Sequence, residues 1–145
     1  MAARKKALPT RSVVIANTIE SAVANLESAL QKANAAVTAR SIESKKLMTE
    51  ARRLKKRRLA QLGRKKRAMA ANKKDSTAAT RKAVKTTTSE LAATNKALVK
   101  STAARRTVLQ ELSGLKESQK KLKVYVKGII AADRTLAKPK RKRKA

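Results

Sequence analysis

Val108, Leu115, Leu122, Ile129 and Leu136 stand seven residues apart, and Val84, Leu91, Leu98, Leu112 and Val126 keep the same interval in a companion row. Arg105 and Gln119 interrupt that companion row. The first half of the chain repeats the pattern. Ile19, Leu26, Ala33, Leu47 and Leu54 fall seven or fourteen apart, Val23, Leu30, Val37 and Ala51 follow four residues behind, and Arg40 and Ser44 interrupt. A seven-residue interval gathers side chains into one narrow stripe along an α-helix. Such a stripe is too narrow to enclose a globular interior and needs a second helix to cover it. No apolar–polar alternation competes for a strand reading.

Composition agrees. Of 145 residues 41% are nominally hydrophobic, but the chain has one Tyr and no Phe or Trp. The side chains that bury the most area each are therefore missing, while Ala, Leu, Val and Ile suffice for a seam between helices. Pro occurs only at 9 and 139 and Gly only at 63, 114 and 128, so strong helix formers fill the interval between the prolines. The sequence predicts an all-α protein: two long helices forming an antiparallel coiled-coil hairpin, with basic flexible termini. Residues 1–11 form a basic arm, 12–137 the hairpin and 138–145 a basic tail. Within the hairpin the helices run 12–72 and 76–137, each about 90 Å long at about 1.5 Å per residue.

The link falls at Asn72-Lys73-Lys74-Asp75-Ser76-Thr77, where Asp75 or Ser76 is a suitable N-cap for the second helix. Thr10 or Ser12 is suited to start the first. Folding at 72–76 sets Leu26 against Leu122 and Ile19 against Ile129. The same alignment brings Glu20 and Glu27 to Lys127 and Lys120, and Glu90 to Arg57 and Arg58. Heptads also fit an intermolecular coiled coil, so a homo-oligomer remains the competing arrangement. Gly63 and Lys85-Thr86-Thr87-Thr88-Ser89 mark weaker helix beside the link.

Thirty-nine Lys and Arg against nine Asp and Glu give a formal net charge of +30. The distribution is uneven. Residues 12–44 carry a net −1, whereas 45–74 carry fourteen bases and only Glu50. Those bases are Lys45, Lys46, Arg52, Arg53, Lys55, Lys56, Arg57, Arg58, Arg64, Lys65, Lys66, Arg67, Lys73 and Lys74. The block 52–58 contains no carboxylates to offset its repulsion, which weakens an isolated helix. A polyanion relieves that repulsion. The tail adds Lys138, Lys140, Arg141, Lys142, Arg143 and Lys144. The residue pattern therefore predicts a nucleic-acid interface at these positions, working by counterion release and largely blind to sequence. Double-stranded DNA is the favoured partner, because single-strand binding by base stacking needs aromatics that this chain lacks.

Other chemistries find little support. No His is present to act as general base or metal ligand, and no Cys to supply a thiolate. The nine acids are dispersed. The reading is of a non-enzyme with no cofactor, no metal and no small-molecule substrate. The apolar run Val13-Val14-Ile15-Ala16 is too short to span a bilayer, and the apolar stripes suit a partner helix better than lipid.

The stretch Leu115-Lys116-Glu117-Ser118-Gln119-Lys120-Lys121-Leu122-Lys123-Val124-Tyr125-Val126-Lys127-Gly128 resembles the last helical segment of the bacterial AlgP-type, linker-histone-like regulators. The shared features are Leu115-Lys116, Gln119, Tyr125 followed by an aliphatic residue, and Gly128. The resemblance implies a helical coiled-coil body and basic DNA binding with a nucleoid or regulatory role. The family's long Ala-Lys-Pro tail is reduced here to Ala137-Lys138-Pro139-Lys140. Tyr125 is read as covering the seam with its hydroxyl in water, and Gly128 as permitting close helix approach.

Together these observations favour a DNA-binding, nucleoid-associated architectural or regulatory protein of the cytoplasm. In a eukaryotic source the basic tail reads equally as a nuclear localisation signal. The alternatives are an RNA- or ribosome-associated structural protein and a genome-contacting component of a phage or other nucleoprotein particle.

Overall fold

A computed structural model describes residues 10–136. Two helices, α1 (Thr10–Lys74, 65 residues) and α2 (Ala78–Leu136, 59 residues), pack against each other, and no strand occurs among the described residues. Neither Gly63 nor the Thr-rich run 85–89 breaks its helix. Threonines 86 and 87 instead return their hydroxyls to the carbonyl oxygens of Lys82 and Ala83, at 3.0 and 2.9 Å. The arm 1–9 and tail 137–145 lie outside the described residues.

The link contains only Asp75, Ser76 and Thr77. Thr77, rather than Asp75 or Ser76, caps α2. Its Oγ1 accepts the Thr80 N–H at 3.2 Å, while the Thr77 N–H donates to Thr80 Oγ1 at 3.0 Å. This reciprocal pair is a capping box closed by Thr in place of the usual Glu or Gln. The Thr80 hydroxyl also lies 2.8 Å from the Asp75 carbonyl oxygen and 3.1 Å from Asn72 Oδ1, tying the last turn of α1 to the first of α2. A cap of this kind contributes about 1 kcal/mol. Thr77→Ala is expected to lower the unfolding free energy by about that amount, read from the midpoint of urea denaturation.

The chain divides into two units, each built from a piece of both helices. In the turn unit, Thr38–Ser113, the hydrophobic core is Ala51, Val108 and Leu112, and Leu47, Leu54, Leu91 and Leu98 are half-buried around it. Ser44, Gln61, Thr94 and Ser101 are buried in the same seam. These four hold heptad positions, so the seam here is unusually polar. In the terminal unit, whose described residues are 10–37 and 114–136, Val23, Leu26, Leu30, Ala33 and Val37 are half-buried. On α2 they are matched by Leu115, Leu122, Val126 and Ile129.

The helices pair about one turn away from the alignment read from the sequence. Within the terminal unit Gln119 Nε2 donates to Asn34 Oδ1 at 2.7 Å, and within the turn unit Arg40 meets Glu111 at 3.0 Å. Continued along the helices, that register levels Leu26 with Val126 and Val23 with Ile129. The cause lies in the link. Helix α1 continues to Lys74 and α2 starts at Ala78, so the reversal is centred on Ser76 rather than residue 74. A two-residue shift of the reversal moves every cross-helix pair by four. Glu20, Glu27 and Glu90 consequently make none of the expected ion pairs; among the described residues those belong to Arg40, with Glu43 and Glu111.

Gly128 does not serve a close approach: a Cβ there would meet nothing within 4 Å. Tyr125, at 57% exposure, lies largely in water. In the turn-unit seam Gln61 Oε1 and Ser101 Oγ are buried without a hydrogen-bond partner. An orphaned buried polar atom costs about 1–3 kcal/mol. Gln61→Leu is accordingly expected to stabilise the hairpin, raising its melting temperature in circular dichroism; a lower melting temperature would show that the amide contributes more than its burial costs.

Candidate nucleic-acid interface

The bases singled out in 45–74 all fall in the turn unit, with α1 carrying them on the faces away from the seam. Thirteen of the fourteen are exposed. Lys65 is the exception, half-buried at a heptad position. Leu47, Ala51, Leu54 and Leu62 occupy the sheltered edge, which leaves the other directions cationic.

Antiparallel pairing adds bases that a reading of 45–74 alone passes over. The turn unit also contains Arg81, Lys82, Lys85, Lys96, Lys100, Arg105 and Arg106 from α2. With Arg40 it holds 22 Lys and Arg against five acids, a net +17. The hairpin itself was the signal that could have found them, because folding at the link lays 78–107 along 45–74. The tail bases Lys138, Lys140, Arg141, Lys142, Arg143 and Lys144 lie outside the described residues.

One recess gathers cations from both helices. It is lined by Met48, Ala51, Arg52 and Lys55 from α1 and by Thr102, Arg105, Arg106 and Leu109 from α2, with a volume of about 340 Å³. No carboxylate lines it, whereas the grooves at Ile42–Arg53 and Lys82–Glu90 each include a glutamate. Arg105 occupies a seam position, and its Nε is buried without a hydrogen-bond partner in the chain. Four cations around an apolar floor leave donors in excess of acceptors. A phosphate oxygen is an acceptor of the kind such a recess lacks, because guanidinium groups bind phosphate through paired N–H donors.

Arg40 behaves differently. Its Nη1 donates to Glu43 at 2.6 Å and its Nε to Glu111 at 3.0 Å. The hydrogen bond to Glu43, then the charge of Glu111, holds its guanidinium above the ordinary range. Arg40 thus acts as a cross-helix clamp within the unit, with its donors committed to carboxylates, and the basic surface excludes it.

Other sites are absent among the described residues. No group of three potential metal-ligating side chains occurs, and no helix is long and apolar enough to cross a membrane. No protein-family model, curated protein or solved structure matches the chain. The resemblance of 115–128 to AlgP-type regulators therefore rests on those residues alone.

Replacing Arg105 and Arg106 by Gln removes two of the cations in the recess. If both engage phosphate, the slope of log K against log salt for duplex DNA should become shallower by about two. An unchanged slope would show that the recess stays empty in the complex.

Proposed function

We propose that this protein is a non-enzymatic, largely sequence-independent DNA-binding protein, acting as a nucleoid-associated architectural or regulatory factor. The observation that carries the reading is the turn unit: its +17 charge is contributed by both helices, with Arg40 the one base in an ion pair among the described residues. Such a surface is costly to assemble. Unbalanced repulsion opposes packing two cationic helices together, and mixed charge would serve solubility without that penalty.

Mechanistically, exposed Lys and Arg displace the cations condensed on the duplex, and the released ions drive association. Contacts of this kind fix position on the backbone and carry no base information. The exposed turn-unit bases, with Lys138, Lys140 and Arg141–Lys144 of the tail, are the proposed contacts. Localisation with the chromosome follows from the same charge. The resemblance over 115–128 points the same way, towards a linker-histone-like role.

The same charge would serve structured RNA or a packaged phage genome, and competition under matched salt separates these readings. Duplexes of unrelated sequence should bind with equal affinity. If six to ten phosphates are engaged, that affinity should fall roughly 10³–10⁵-fold between about 50 and 200 mM salt. Preference for structured RNA at every salt concentration would move the protein to the ribosome-associated class, and no binding at low salt would remove the function altogether.

A further inference from the structure

We propose that the terminal unit associates with the same unit of a second copy of this chain. The heptad rows run beyond the point where burial stops. Leu26 and Ile129 are half-buried, yet Ile19, seven residues before the first, is 59% exposed, and Leu136, seven after the second, is 83% exposed. The observed register explains the opening, since it levels Ile19 with Asp133 rather than with an apolar residue. Ile15 and Tyr125 are likewise in water. Among the described residues, eight of the thirteen large apolar side chains left exposed belong to this unit, the smaller of the two by described length. An apolar seam that continues without a partner is what a helix face destined for further packing looks like.

Charge identifies the occupant. Glu20 and Glu27 on α1 make no ion pair, and neither do Lys120 and Lys127 on α2. Each copy thus offers an acid-edged helix and a base-edged helix side by side. A two-fold arrangement satisfies both at once, with α1 of each copy against α2 of the other. A polyanion or an anionic membrane would satisfy the lysines only and would leave Glu20 and Glu27 facing like charge. Residues 1–9 and 137–145 are poor covers, because they bring only Met1 and Leu8 as large apolar side chains. The resulting dimer carries two cationic turn units. This association stands apart from the DNA-binding reading, although bridging of two duplexes would depend on both.

The test is sedimentation equilibrium of the full chain after nuclease treatment and a high-salt wash. The expected mass rises with concentration towards twice 15.8 kDa. Ile19→Lys and Leu136→Lys should each restore the single-chain mass with helix content preserved in circular dichroism. Two charge-reversed proteins provide a control that does not depend on apolar changes. Glu20→Lys with Glu27→Lys in one chain, and Lys120→Glu with Lys127→Glu in another, should each be monomeric alone and form the heavier species when mixed. A wild-type protein that stays monomeric at every concentration overturns the proposal. So does a dimer indifferent to both lysine substitutions, or a mixture of the reversed chains that fails to pair. DNA binding is scored separately by gel shift, so a wild-type monomer that still binds duplex overturns the association alone, and a dimer that fails to bind overturns the DNA-binding reading alone.

Discussion

Two helices of strongly positive charge stay side by side because a narrow seam of aliphatic and small side chains removes apolar surface from water along both. Everything else in the molecule depends on that balance. The hydrophobic contribution is local and additive, at about 25 cal/mol per Å², and no large side chain among the described residues is fully buried. The opposing repulsion is long-ranged, but salt screens it within about 8–10 Å near physiological ionic strength.

The seam is not uniform, and the variation follows the charge. Beside the link, heptad positions are held by Thr80, Thr87, Thr94 and Ser101 on one helix and by Ser44, Gln61 and Asn72 on the other. Towards the chain ends the same rows turn to Leu, Val and Ile. The part of the hairpin with the greatest repulsion therefore interleaves polar side chains with its buried apolar residues Ala51, Val108 and Leu112, and it adds specific polar links: the Thr77–Thr80 box, the Asn72–Thr80 contact and the Arg40–Glu111 bridge. Buried polar side chains contribute less to stability than to choosing one pairing among several that heptads permit. A bound polyanion, by neutralising the surrounding bases, would add stability where the repulsion between the helices is greatest.

That division of labour gives the two units different chemistry. The turn unit presents bases from two helices around an arginine whose Nε lacks a partner within the chain, which suits phosphate. The terminal unit has carboxylates outside any ion pair at Glu20 and Glu27 and open apolar positions, which suit protein. A binding surface for nucleic acid and a separate surface for self-association are the two parts that an architectural protein requires.

Heptad spacing, the placement of the two prolines and the scarcity of aromatics make the helical hairpin legible in the sequence, because the period of a stripe is a property of the chain alone. The basic block 45–74 was equally legible, since charge density needs no geometry. Tertiary structure decided the rest. Register was misplaced by one turn because a seven-residue repeat matches itself at several offsets, and only the length of the link and the Thr77 cap select among them. The α2 half of the cationic surface, the Arg52–Arg105 recess and the commitment of Arg40 to two carboxylates all follow from that selection: they depend on which residues of distant segments stand level, and no local pattern encodes that distance.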